Sequence, residues 1–302
     1  MTIVCAGVFL GCGSVSDKPR DSGPDDASPD DEAPGDIASE DAPSLGPWGA
    51  LEPMMGLADA DVRGGTLTSD LREVYFTSSI RPGGIGGFEI WTSRRADVTA
   101  VWGTPSLVTT VNSTSSDADP FVSDDGLSLW LVSDRNGNFD MFVSVRASRQ
   151  DPWGTPQVIN NLNTVMVENS PSVIGSGLLM VLGSDRSGNY DLFTSSRASV
   201  GQPWGTPVPI AEVNSAGEDF GTVSATGLQL YVTSNRLGSM GRDIYQSTRS
   251  SLNAPFSTPV AVPELSSPGS DEVAWVSADE RYIMITRRGG GDTYHRALEA
   301  RR

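Results

Sequence analysis

Carboxylates recur along this chain just ahead of apolar runs. Asp117 and Asp119, Glu168, Glu218 and Asp219, and Asp271 and Glu272 stand at such entries, about fifty residues apart, with Asp59 and Asp61 as an earlier set. Brought onto one face they repel unless cations, arginines or backbone amides hold them, since charges within roughly 8 Å are poorly screened at physiological salt. Three chemistries follow. The summed field could draw a cation or a basic protein segment. Two carboxylates about 5 to 9 Å apart could hydrolyse a glycosidic bond, with Asp119, Glu168, Asp219 and Asp271 as the candidates. Or the acids cap loops and do nothing more. Repetition in every unit argues against hydrolysis, because a catalytic pair needs two different environments. The expected role is binding rather than turnover, at Asp117, Asp119, Glu168, Glu218, Asp219, Asp271 and Glu272.

A second recurring cluster follows each apolar run. Ser133 to Phe142 reads S-D-R-N-G-N-F-D-M-F and Ser184 to Phe193 reads S-D-R-S-G-N-Y-D-L-F, with a looser copy from Ser234 to Tyr245. Asp134 and Asp185 are placed to bond their own loop amides, and the glycine permits positive φ. Arg135, Arg186 and Arg236 are expected to pair with Asp140, Asp191 and Asp243 or with a neighbouring unit. Calcium is the one cofactor such loops could take. An arginine beside the first carboxylate and the lack of a glutamate at the twelfth position favour a structural loop with no metal. His295 is the only histidine and has no partner motif, and no nucleophile elbow, zinc motif or phosphate-cradling loop is present.

The elements that must carry these residues are short strands. The aromatic leaders Trp48, Trp102, Trp153, Trp204 and Phe256 recur every 51 to 54 residues, three of them within W-G-T-P, at a period that suits propeller blades. Within a unit, an inner strand ends at an Asp-Gly turn, an alternating run such as Leu127 to Ser133 follows, then the S-D-R loop, a third strand and an outer strand. The tryptophans are expected to pack between blades. The fifth unit lacks an outer strand, while a surplus P-W-G strand lies at Trp48 to Met55. The expected fold is therefore all-β, a five-bladed β-propeller over residues 46–302, closed by that N-terminal strand pairing with the C-terminal blade. Closure leaves no open edge between the first and last blades, so a monomer is expected.

The run D-A-D-P-F-V-S-D-D-G, followed by L-W-L-V-S-D-R-N-G-N-F-D-M-F, resembles the WD-like propeller repeat of TolB-type periplasmic proteins. The resemblance covers about Asp59 to Tyr294 and is specific in the second and third units. It implies a propeller of the cell envelope that binds a protein or peptide. The chain has no recognisable N-terminal α/β domain of the TolB kind and five units instead of six.

Residues 1–12 are apolar up to Gly11, too short to span a bilayer, and end in F-L-G-C, which resembles a lipobox with Cys12 as the lipid acceptor. Residues 13–45 carry ten carboxylates against two basic residues within Gly13 to Ala42, the composition of a disordered tether. The expectation is export and anchoring at a membrane through Cys12. A formal charge of −17 with a single lysine, Lys18, excludes a nucleic-acid partner, which calls for a concentrated basic face. With both cysteines in the first twelve residues, no disulfide or thiolate metal site lies in the repeats.

Overall fold

The computed structural model describes residues 45–57, 61–217, 219–289, 292 and 295–302. Among them lie five four-stranded antiparallel sheets, one per repeat, arranged as a five-bladed β-propeller. The inner strands are Arg63–Leu67, Asp117–Val122, Glu168–Val173, Asp219–Val223 and Ser270–Val276. Each touches the inner strands of the blades before and after it, and the last touches the first, so the ring is closed.

The second strands, Glu73–Ser78, Ser128–Ser133, Leu179–Ser184, Gln229–Ser234 and Tyr282–Arg288, read as nearly continuous apolar runs. Both faces of such a strand are covered by adjacent blades, and burial on both faces removes the alternation of a half-exposed strand. The third strands, Glu89–Arg94, Asp140–Val145, Asp191–Ser196, Asp243–Thr248 and Arg296–Arg301, return to it over their last three residues, which are half-buried, buried and exposed in turn. The turn into the second strand uses Gly126, Gly177 and Gly227 at φ near 70°, whereas Leu71 and Glu280 hold the same left-handed position in the first and fifth blades. A side chain at such φ costs free energy that glycine does not, which fits the eroded motifs of those two repeats.

Outer strands are only two residues long: Ser106–Leu107, Gln157–Val158, Val208–Pro209 and Val260–Ala261. The fifth blade takes its outer strand from the N-terminal side, Glu52–Pro53, in register with Glu299 and Leu298. Gly49 N–H to Arg301 O at 2.8 Å and Met54 N–H to Ala297 O at 3.1 Å extend the seam. Glycine fits closely after each tryptophan, although Ser257 takes the equivalent place after Phe256 with the same bond, its amide donating to Thr248 O at 2.8 Å. A Cβ on Gly49, Gly103 or Gly154 would come within about 3.0 Å of the carbonyl oxygen of Arg301, Arg94 or Val145, the group its own amide donates to.

The tryptophans pack between blades as expected. Trp153 of the second blade meets Tyr75 of the first edge to face at 5.9 Å and donates Nε1–H to its hydroxyl at 3.1 Å. A regularity unforeseen in the sequence accompanies them. An arginine ending or following each third strand lies on the aromatic leader: Arg95 on Trp102, Arg146 on Trp153, Arg197 on Trp204, Arg249 on Phe256 and Arg302 on Trp48, all at 4.1 to 4.4 Å. Each Nε–H also donates to a carbonyl in the turn between the first two strands, those of Leu71, Gly126, Gly177, Gly227 and Glu280.

Candidate functional site

The acids that recur do not face the channel. Asp117, Glu168, Asp219 and Asp271 have no exposed surface, and each is the centre of one repeated lock. A serine or threonine four residues upstream gives the carboxylate both its amide and its hydroxyl: Ser113 to Asp117 at 2.6 and 2.9 Å, Thr164 to Glu168 at 3.1 and 2.8 Å, Ser215 to Asp219 at 2.6 and 2.9 Å, and Ser267 to Asp271 at 2.6 and 2.8 Å. The remaining oxygen capacity is taken by an arginine, from the loop after the second strand in three blades and from the end of that strand, Arg287, in the fifth. Arg135 pairs with Asp117, Arg186 with Glu168 at 3.0 Å, Arg236 with Asp219 at 2.7 Å, and Arg287 with Asp271. Each of these guanidiniums also donates to the carbonyl of Val111, Leu162, Val213 or Leu265.

This pairing corrects one expectation. Arg135, Arg186 and Arg236 bond the acid that opens their own blade, not Asp140, Asp191 or Asp243. The strand register explains it: Ser133 stands opposite Asp117, so the loop that follows hangs over that end of the inner strand. Asp191 instead accepts from the Ser187 hydroxyl, and Asp243 from the Met240 amide at 3.3 Å. Asp140 is left with an Oδ1 that has no hydrogen-bond partner, and burial, followed by the nearby Glu168, raises its pKa. A second correction concerns Asp134 and Asp185, expected to bond amides of their own loops: they accept the amides of Ser116 and Val167 at 2.7 Å, which joins the loop to the entry of its own blade. Among the described residues no three His, Cys, Asp or Glu side chains converge as a metal site would require.

What faces the channel is the part of each inner strand that differs between blades. Register irregularities open four of the five inner strands, after Arg63, Ala118, Asn169 and Val273. The bulge or its equivalent presents Gly64, Asp119, Ser170, Phe220 and Val273 to the axis. These residues line a cavity of about 160 Å³ together with Arg63, Asn169, Thr233, Arg242 and Glu272. A narrower space of about 50 Å³, lined from all five blades and sharing Gly64, Asp119 and Ser170, lies along the same channel.

Asp119 is the one acid among those five axial positions. It sits at φ 48°, a region Asp tolerates better than most residues. Its amide donates to Thr77 Oγ1 at 3.0 Å, and its Oδ2 accepts the Ser170 amide at 3.0 Å. Gly64, also at positive φ, leaves room for the other oxygen: a Cβ there would stand 3.3 Å from Asp119 Oδ1. Enclosure by the surrounding strands raises the Asp119 pKa, the Ser170 amide opposes this, and Glu272 raises it further.

Two arginines, neither anticipated from the motifs, line the same cavity on aromatic plates. Arg242 lies over Phe220 at 4.9 Å and pairs with Glu272 at 2.7 Å, while Arg63 lies over Phe88 at 5.3 Å and donates Nε–H to Asp61 at 3.1 Å. Tyr190 backs Phe220 at 5.4 Å. Asp61, with no exposed surface and φ 45°, also accepts the His295 amide at 3.1 Å. Burial lowers the pKa of His295, against the pull of Glu272 and Asp61, and its Nδ1 has no hydrogen-bond partner.

Of the acids expected at the mouth, then, Asp119 and Glu272 share the cavity, whereas Asp117, Glu168, Asp219 and Asp271 are enclosed in locks. Glu218, Asp59 and the lipid-acceptor candidate Cys12 lie outside the described residues. The arginines of the site left no motif because they occur once each. Non-repetition at a repeat position was the available signal.

No family model matches the chain, and no curated protein matches it. Solved structures do. The endo-arabinase from Bacteroides thetaiotaomicron VPI-5482 is similar with a TM-score of 0.59 at 14% identity, over 83% of this chain and 97% of that one. An α-L-arabinofuranosidase from Lactobacillus brevis follows with 0.54 at 13%, over 83% and 92%. The putative TolB from Agrobacterium tumefaciens reaches 0.49 at 11%, over 78% and 75%. What the chain shares with the first two at such identities is the propeller fold.

Proposed function

We propose that this is a non-catalytic binding propeller of the bacterial cell envelope, tethered through Cys12, that takes its ligand into the funnel around Asp119 and Glu272. One observation carries the reading. The residues that break the five-fold repetition, Arg63, Asp119, Asn169, Arg242 and Glu272, come from all five blades and meet in one cavity, whereas the repeated acids are consumed in holding the blades together. Selection for fold alone would leave the axial positions alike. The TolB-like repeat motif and the lipobox-like F-L-G-C support the envelope location.

A second reading, glycoside hydrolysis, is favoured by a specific feature of the same cavity. Asp119 is biased towards its protonated form while Glu272 is held by Arg242, and carboxyl groups in unlike environments can divide acid and base roles. Incubating the protein with arabinan, xylan and mannan and following reducing ends decides between the two. Binding without release of reducing ends supports the binding reading; release that is lost in Glu272→Gln establishes hydrolysis. Location is tested separately. With its signal completed upstream, the wild type should partition into detergent and Cys12→Ser should not, since each buried acyl CH₂ contributes about 0.8 kcal/mol. Equal partitioning refutes the anchor.

A further inference from the structure

A loop that does not line the cavity carries a reactive pair. Asn136-Gly137 is the one Asn-Gly step in the chain, in the loop between the second and third strands of the second blade. The same loop returns in the third blade with Ser187-Gly188 and in the fourth with Leu237-Gly238, each glycine again at positive φ. In the second and third blades the glycine amide closes the turn alike, Gly137 on Asp134 O and Gly188 on Asp185 O, both at 2.9 Å. The backbone is common to these blades, and the side chain ahead of the glycine is what sets the second apart. Asn136 is exposed, and a Cβ on Gly137 would meet nothing within 4 Å, so the Gly137 nitrogen and the Asn136 carboxamide have open space in which to close on each other. Asn112, Asn163 and Asn214 are held instead. Each accepts a strand amide at Oδ1 and donates Nδ2–H to the carbonyl of the same residue, Ile90, Met141 or Leu192.

Such a pair reacts with itself and water alone. Once its turn hydrogen bond opens, the Gly137 nitrogen bonds Asn136 Cγ and gives up its proton, the Cγ–Nδ2 bond breaks, and Nδ2 leaves as ammonia with that proton. Water then opens the succinimide at either carbonyl, to aspartate or to isoaspartate, in which the main chain runs through the former side chain and gains a methylene. Opening one hydrogen bond in an exposed loop is a local event that needs no global unfolding. The position gives the product a structural consequence. On the N-terminal side, Asp134 accepts the Ser116 amide at 2.7 Å, and Arg135 bonds Asp117 and Val111 O. On the C-terminal side, Asn138 donates Nδ2–H to Met166 O at the entry of the third blade. The added methylene falls between two anchors, one to the loop's own blade and one to the next. Either product also puts a carboxylate where the Asn136 side chain now favours the charged form of Asp140, and like charges repel. We infer that Asn136 is a site of spontaneous deamidation, and that its isoaspartate product loosens the Arg135–Asp117 lock of the second blade.

The test is to age the full chain in mildly alkaline buffer, well below its melting temperature, and to map its peptides by mass, with enzymatic methyl transfer to isoaspartate as a second label. Conversion at Asn136 is expected to run to completion before Asn112, Asn163 or Asn214 changes. The aged protein should melt about 2–4 °C lower than the fresh one. No such fall is expected in Asn136→Ser, which carries the third blade's residue in the same loop, or in Asn136→Gln, whose longer side chain must close a larger and slower ring. Asn136→Asp, with the charge but an unaltered backbone, should lose less stability than the aged wild type. An intact Asn136, in samples whose urea-unfolded controls have converted, overturns the inference, because the folded loop then protects the pair. Conversion with an unchanged melt overturns it too, as does an equal fall in aged Asn136→Ser. A loss in Asn136→Asp as large as that of the aged protein overturns the lengthened loop as its cause.

Discussion

Asp117 and Asp119 lie two residues apart on one inner strand, and the first is sealed against Arg135 and Ser113 while the second opens onto the axis with the Ser170 amide as its hydrogen-bond donor. Opposite mutational responses are expected from them. Asp117→Ala strands a buried guanidinium together with the Ser113 amide and hydroxyl, and breaking one side of such a pair costs about 3–5 kcal/mol. Asp119→Asn keeps an acceptor for the Ser170 amide and removes an unfavourable charge, so it should not destabilise. Urea melts of the two variants check this; equal losses would mean that both residues belong to the fold.

The pH profile should carry the mark of Asp119. Its pKa in the folded protein is raised above the unfolded value of about 3.9, so above that pH the native state holds a proton the unfolded chain has released. Its contribution is greatest at low pH and declines as the pH rises through the folded pKa. Asp119→Asn should therefore raise the melting temperature at pH 7 and have little effect near pH 3. A variant less stable than wild type at pH 7 contradicts the assignment.

Burial of His295 works in the other direction. Its folded pKa is lowered, so below about pH 6.5 the unfolded chain takes up a proton before the native one does. Stability present at neutral pH is lost as the pH falls through that window. His295→Gln should flatten the fall below about pH 6.5, and an unchanged slope would place the titration elsewhere.

Gly64 supplies a test that leaves every polar group in place. Alanine there puts a methyl group against Asp119 Oδ1 and at a left-handed φ. The strain should cost about 1–2 kcal/mol, while ligand binding should fall by far more than stability does. Retention of full affinity in Gly64→Ala would show that Asp119 does not read the ligand.

At the seam, Arg302 should matter as much as a core residue. It stacks on Trp48, donates to Glu280 O and to the Tyr231 hydroxyl, and joins the fifth blade to its borrowed strand and to the fourth blade. Arg302→Ala is expected to lower stability by about 2–4 kcal/mol. Deleting Gly46 to Met55 should lower it further or cause aggregation, whereas deleting Gly13 to Ala42 should leave the melt unchanged.

The repeat, the blade count and the N-terminal closing strand were legible in the sequence because they rest on periodic turn residues and aromatic leaders. Two regularities were equally periodic and were overlooked. Arg95, Arg146, Arg197 and Arg249 stand seven residues ahead of Trp102, Trp153, Trp204 and Phe256, and a serine or threonine stands four residues ahead of each lock carboxylate. Both couple groups that meet only once strands are paired, so pattern alone gave them no role. The cavity was harder to read for a different reason. Arg63, Asn169 and Arg242 fall where the other repeats carry dissimilar residues, and a bulge alters which side chain faces the axis. Asp119 stood out in the sequence only as one more member of an acidic set, from which the backbone bulge separates it.

The borrowed strand also sets an order of events during folding. Within each blade the strands that pair are neighbours in sequence, so most of the sheet structure has short loops to close and can form early. Glu52 and Glu299 pair across almost the whole domain, so this contact closes a far longer loop than the pairings inside the other blades. Until Arg296–Arg301 is in place, Glu52–Pro53 has no strand to pair with, and the ring cannot shut. Docking of this pair converts a series of locally formed hairpins into one cooperative unit, and anything that holds the chain open has only to keep Glu52–Pro53 and Arg296–Arg301 apart.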